Sequence, residues 1–130
     1  MKQLQVSDDE WKKKLTKEQY EVLRNKSTET PFTGKLLHNK DGGVYTCAGC
    51  GNELFASNAK FDSGTGWPSF DEPKNKENIE LKTDVSHGMS RTEVLCKKCK
   101  GHLGHVFNDG PTKTGQRFCM NSCALEFKKK

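Results

Sequence analysis

Cys47-Ala48-Gly49-Cys50-Gly51 and Cys96-Lys97-Lys98-Cys99-Lys100-Gly101 are the two stretches on which the fold of this chain turns. Each holds two cysteines with two residues between them. That spacing lets both thiolates of a pair face one metal ion, and a glycine at or soon after the second cysteine lets backbone amides turn toward the sulfurs. Two such pairs, Cys47 with Cys50 and Cys96 with Cys99, complete a closed tetrahedral shell, the structural form of zinc site. Cys50 and Cys96 lie much further apart than the knuckles of a minimal zinc ribbon, so one zinc ion would tie together distant parts of one domain. Two disulfides or free core thiols are the alternatives. A redox cysteine pair of the thioredoxin kind is another, but no βαβ pattern surrounds either pair. Iron is the main competitor for a four-thiolate shell.

The rest of the composition makes such a staple useful. The chain has 130 residues, enough for one compact domain spanning 1–130. Only 32% of residues are hydrophobic and 30% are charged, so the core is modest and a metal compensates. The net charge of +5 comes partly from Lys12-Lys13-Lys14 and Lys128-Lys129-Lys130, read here as a solvated surface and a flexible basic tail at 128–130. Scattered lysines argue weakly for nucleic-acid binding, and none is expected. No apolar run is long enough to span a bilayer, and the N-terminus lacks the apolar stretch of a signal peptide. The expectation is a soluble, cytoplasmic monomer, and in that compartment paired cysteines point to metal or catalysis.

Working outward, the first part of the chain predicts a helical lead-in over about 7–25. Ser7-Asp8-Asp9-Glu10 fits a capping box, with Trp11 and Leu15 one turn apart; a second start falls at Thr16 with Gln19 three residues on, and Tyr20, Val22 and Leu23 give an apolar face. After Pro31 glycine becomes frequent and apolar runs shorten. Gly42–Cys47, Glu53–Ala56, Glu93–Cys96, Gly101–Phe107 and Gln116–Met120 read as strands, and Asp71–Asn78 as a polar loop. The fold class is therefore mainly β: antiparallel sheets behind a short helical segment, stapled by a four-cysteine zinc site.

With the metal ligands set aside, Cys119 and Cys123 remain. Arg117, two residues before Cys119 on a strand, projects from the same face and would stabilise a thiolate. Asn121 shares that face if the strand continues. His102 and His105 stand three apart in a glycine-rich segment ending Asn108-Asp109-Gly110. Cysteine, histidine and an orienting carboxylate form a kit for thiol chemistry. The plainer readings are a small core cysteine, two ordinary histidines or a second metal site. Trp67, between Gly66 and Pro68, sits on a stiff loop as a wall for an apolar pocket or as core filling.

Gly66-Trp-Pro-Ser-Phe70, Gly101-His-Leu-Gly-His-Val-Phe107 and Arg117-Phe-Cys-Met-Asn-Ser122 together resemble the signature set of methionine-(R)-sulfoxide reductases, the B class. The two knuckles resemble that family's metal-bearing branch, and Glu10-Trp11 and Thr28–Phe32 extend the likeness over nearly the whole chain. The resemblance implies an oxidoreductase that returns methionine (R)-sulfoxide, free or in oxidised proteins, to methionine. It implies Cys119 as the nucleophile that becomes a sulfenic acid and Trp67 as the holder of the substrate methyl. His102 and His105 would line the site, His105 helping protonate the sulfoxide oxygen. Asp109 and Arg117 would tune the network, and Asn121 would position polar groups.

One departure from the family pattern bears on turnover. Many members carry a resolving cysteine where this chain has Thr65. Either Cys123 resolves the sulfenic acid, which needs a turn or rearrangement because four residues of strand hold two sulfurs too far apart, or thioredoxin or another thiol does so directly. Two other classes compete with the enzyme reading. A zinc-ribbon binding module leaves His102, His105, Trp67 and Cys119 idle. A different zinc-supported thiol enzyme, a lyase or hydrolase, would use the same cysteine and histidines.

Overall fold

The structure is a computed structural model that describes residues 8–85 and 90–129. It opens with two short helices, α1 (Asp8–Lys14) and α2 (Lys17–Asn25). The capping box expected at Thr16 forms: Thr16 Oγ1 accepts from the Gln19 amide at 3.1 Å, and Gln19 Oε1 accepts from the Thr16 amide at 3.0 Å. The box expected from Ser7 begins outside the described residues. α2 ends at Lys26, whose left-handed backbone (φ 59°) turns its N–H back onto the Glu21 carbonyl. Trp11, Leu15, Val22 and Leu23 face the core.

Among the described residues, nine antiparallel strands follow, in two sheets. β1 (Gly43–Cys47) is the middle of a three-stranded sheet, between β2 (Glu53–Ala56) and β9 (Leu125–Lys129). The second sheet has the order β3 (Lys60–Phe61), β4 (Ser69–Phe70), β8 (Arg117–Met120), β7 (His102–Phe107), β6 (Arg91–Cys96) and β5 (Ile79–Asp84). Aromatic rings join the sheets. Tyr45 of β1 meets Phe70 of β4 edge-on at 5.0 Å, and Phe55 of β2 stacks on Phe70 at 4.4 Å. Each such ring removes enough apolar surface from water to contribute about 1.5–3 kcal/mol.

Two sequence expectations are corrected. Lys128 and Lys129 are not a frayed tail; they pair with Val44 and Gly43 and complete β9. Leu125 and Phe127 turn to the core, Glu126 lies exposed, and the whole strand pairs with β1. The loop expected over Asp71–Asn78 contains a short helical turn at Lys76–Asn78, and the unanticipated β5 starts directly after it. Its residues alternate, Ile79, Leu81 and Thr83 against Glu80, Lys82 and Asp84, but as an edge strand it buries only its two ends.

Glycine decides how closely the site strands approach. Gly104 of β7 lies opposite Met120 of β8, and a Cβ there would sit 2.1 Å from the Cys119 carbonyl oxygen. Gly104→Ala is therefore expected to force β8 outward and to cost about 1–3 kcal/mol, read as a lower urea midpoint with an unchanged transition slope.

Candidate active site and metal centre

The four knuckle sulfurs meet in one cluster, all within 4.8 Å of one another. Cys47 Sγ lies 3.7 Å from Cys99 Sγ, and Cys50 Sγ lies 3.5 Å from Cys96 Sγ. A disulfide would bring sulfurs to about 2.0 Å. A tetrahedron with metal–sulfur distances of about 2.3 Å has edges of roughly 3.8 Å, so the observed spacing suits one zinc-sized ion. The Gly49 amide points at Cys47 Sγ at 3.4 Å, and Asn52 Nδ2 at Cys96 Sγ at 3.6 Å, as donors to thiolates do. Donation from Cys47 and Cys50 pulls Cys96 far below the ordinary thiol range, while the same crowding pushes Cys47 up. Four thiolates share that space only around a cation. In each knuckle the residue after the second cysteine is left-handed: Gly51 (φ 79°) in one, Lys100 (φ 62°) in the other. Gly101, expected as the turn glycine, instead gives room for Leu23 of α2, whose Cδ2 would lie 2.9 Å from an added Cβ.

On the large sheet, alternation along β8 buries Phe118 and Met120 and sends Arg117 and Cys119 to the other face. There they border a cavity of about 220 Å³ whose wall also includes Trp67, Thr65, His105 and Arg91. His105 is directly across from Cys119 in the β7–β8 register, a position that sets side chains about 5 Å apart at Cβ. Trp67 forms a wall of this cavity, with its indole N–H held by the Glu29 carbonyl at 3.0 Å. Arg117 makes a two-point pair with Asp109, at 2.8 and 3.1 Å, and lies 4.4 Å from the centre of the Phe107 ring. Asp109 itself is exposed and orients the guanidinium from outside the cavity.

Burial pushes the Cys119 thiol up; the Thr65 hydroxyl, the Arg117 charge and Ser69 pull it back. Thr65 Oγ1 lies 3.9 Å from Cys119 Sγ and continues into a hydroxyl chain through Ser63, at 2.7 Å, to Ser69, at 2.8 Å. The departure at Thr65 thus puts a hydrogen-bonding hydroxyl beside the Cys119 sulfur.

Two expected site residues stand elsewhere than the sequence suggested. His102 is buried behind His105, ring centres 5.3 Å apart, and is not part of the cavity wall. Burial pushes its pKa down and Glu93 opposes this; its Nδ1 bonds Glu93 Oε2 at 2.7 Å. The strand stops at Met120, so Asn121 does not continue its face. Asn121 borders the cavity but is itself a strut, donating to the Leu103 carbonyl at 3.1 Å and accepting from the Glu29 amide at 3.1 Å. Cys123 lies in a different cavity from Cys119. Burial and then the charge of Glu29 push its thiol well above the ordinary range.

Sequence reasoning missed the acids that serve the histidines. His105 Nε2 bonds Asp84 Oδ2 at 2.8 Å, and Lys26 bridges Asp84 and Glu93 at 3.7 and 3.4 Å. Arg91 reaches Asp84 at 3.6 Å. The only sequence signal for these buried carboxylates was the pair of strand histidines, which need acceptors.

Comparison with known proteins accords with this geometry. The SelR domain matches residues 15–129. A peptide methionine sulfoxide reductase from Methanosarcina barkeri is 58% identical, covering 98% of this chain and 89% of its own length. Those from Leptospira interrogans and Bradyrhizobium diazoefficiens are 58% and 57% identical over 95% of the chain. The chain belongs to the methionine-(R)-sulfoxide reductase B family. The three motifs that carried the family likeness converge on this one region: Trp67 and Cys119 on the cavity wall, His105 beside them and His102 behind. No helix among the described residues is long and apolar enough to cross a membrane.

Two outcomes follow for this family member. Purified protein should carry close to one zinc per chain by plasma mass spectrometry, and Cys96→Ser should lose the metal together with cooperative unfolding. In a Cys123→Ser background, Thr65→Val should move the pH midpoint of Cys119 alkylation upward, because removing a hydrogen bond to the thiolate favours the protonated form; a midpoint that falls or stays would contradict the hydroxyl's role.

Proposed function

We propose that the protein reduces methionine (R)-sulfoxide, in oxidised proteins or free, to methionine, with Cys119 as the nucleophile. The observation that carries this reading is the placement of Cys119 opposite His105 in a cavity walled by Trp67. The substrate methyl would rest against the Trp67 ring. The Cys119 sulfur attacks the sulfoxide sulfur, the sulfur–oxygen bond of the substrate breaks, and the oxygen passes to Cys119. Methionine leaves and a sulfenic acid remains, its hydroxyl carrying the proton that the thiol gave up.

His105, held by Asp84, sits where it can deliver that proton to the sulfoxide oxygen. His102 and Glu93 support it from behind. Arg117, oriented by Asp109, places positive charge beside the developing thiolate. Asn121 fixes the turn that follows the nucleophile. The metal centre would hold zinc through Cys47, Cys50, Cys96 and Cys99 and supply cohesion to a single domain, taking no part in the reaction.

Recycling would use an external thiol, thioredoxin or another dithiol, rather than Cys123. Two thiols reduce the sulfenic acid to the Cys119 thiol, releasing water and a disulfide of the reductant. Two facts support this route over Cys123: it borders another cavity, and the Glu29 charge disfavours its thiolate. A soluble, cytoplasmic monomer fits such a partner.

Separated R and S epimers of a methionine sulfoxide peptide, supplied with a dithiol, test the reading. Turnover of the R epimer alone, reduced to background in Cys119→Ser and retained in Cys123→Ser, is expected. Turnover of both epimers, or activity that survives Cys119→Ser, would overturn it.

A further inference from the structure

Glu29 is bonded to three residues of the site region. Its amide donates to Asn121 Oδ1 at 3.1 Å. Its carbonyl accepts from the Trp67 indole N–H at 3.0 Å. Its carboxylate Oε1 accepts from the Cys123 amide at 3.0 Å. The side chain is buried at 7% exposure, and its second oxygen has no hydrogen-bond partner among the described residues. An unpartnered carboxylate oxygen in the interior is costly, so the position is held at the expense of stability. An added Cβ on Gly34 would lie 2.7 Å from that oxygen, which shows how closely the following loop is wrapped over it.

The three bonds lie on two sides of the nucleophile. Asn121 and Cys123 belong to the turn directly after Cys119, and that turn is fixed further by Ser122, whose Oγ accepts from the Leu36 amide at 2.9 Å. Trp67 belongs to the loop that leads into β4, and its indole forms part of the same cavity wall. The turn after Cys119 and the loop bearing Trp67 therefore meet at one residue of the segment after the helical lead-in. Losing the carboxylate leaves the bond from the Glu29 amide to Asn121 but removes the anchor at Cys123, so residue 29 is freer to turn about its backbone torsions and its carbonyl, which lies in the next peptide group, loses its aim at the indole.

We infer that Glu29 is a positioning residue that fixes the Trp67 ring in the wall of the Cys119 cavity by tying its own backbone to the turn at Cys123. The inference rests on the reading of the cavity as a methionine sulfoxide site walled by Trp67. It assigns the effect to the hydrogen bond and not to the negative charge. Gln keeps an acceptor oxygen at the same reach; Asp keeps the charge one methylene short; Ala removes both.

Three variants, Glu29→Gln, Glu29→Asp and Glu29→Ala, are compared in R-epimer turnover and in acrylamide quenching of the Trp67 emission. Trp67 emission is taken as the difference from a Trp67→Phe reference that retains Trp11. Ala and Asp are expected to raise KM roughly threefold to thirtyfold, with kcat changed less, and to make Trp67 more quenchable; Gln is expected to match the unsubstituted protein in both. The inference is overturned if Ala leaves KM and quenching unchanged, if Asp behaves as the parent while Gln fails, or if all three lose activity in step with a lowered urea midpoint. Absence of turnover in the parent protein would refute the function instead, and the quenching series would still decide the clamp.

Discussion

Four sulfurs at the ends of two sheets have to occupy one small volume, and much of the architecture follows from that requirement. Cys47 closes β1 in the small sheet, and Cys96 closes β6 in the large one. Each knuckle then folds back through a left-handed residue, so the second sulfur of each pair returns to the same point. The helical lead-in seals the cluster from one side: Arg24 donates to the Cys99 carbonyl at 2.9 Å and lies 4.9 Å from the centre of the Trp11 ring, and Trp11 in turn crowds Gly49. A domain with so few apolar residues gains from a metal the fixed geometry that a larger core would otherwise supply.

The site lies on the part of the large sheet that this staple holds in place, and it gathers unusual charge. Asp84 and Glu93 are both buried, and removing a lone carboxylate from water is expensive. The cations that answer them come from different elements: Lys26 from the end of α2 and Arg91 from the start of β6. The helical lead-in is thus part of the electrostatics of the site as well as a cover for the four-cysteine cluster. Its left-handed cap at Lys26 is the backbone feature that turns this lysine toward the two acids.

Much of this was legible in the residues, for reasons that differ by element. The knuckles announce themselves because ligand spacing is a local property, and the Thr16 cap does so because its partners lie within one turn. Arg117 and Cys119 were readable as one face because strand alternation is local too. Long-range pairing was not. β9 carries only a short alternation, Leu125 and Phe127 against Glu126, and its partner β1 lies 80 residues back; β5 alternates Ile79, Leu81 and Thr83 with charged residues, yet as an edge strand it buries only its two ends. The dependence of His105 on Asp84, and of Trp67 on Glu29, spans separations that no periodicity encodes. The fate of Asn121 turned on where a strand stopped, and that was decided by its bond to Leu103.

The order of strands in the small sheet has a consequence for synthesis. β1 receives its first neighbour, β2, almost at once, but Thr46 waits for Glu126, 80 residues later. A growing chain therefore carries β1 with one open edge for most of its emergence. Both cysteine pairs are made before β8 and β9, and Cys96 follows Cys50 by only 46 positions. Metal capture can close that loop early, shortening the search that the last strands face. An ion bound there would act as a timing device for folding: with β1 and β6 set in their final relation, β8 and β9 have only short spans of chain left to search.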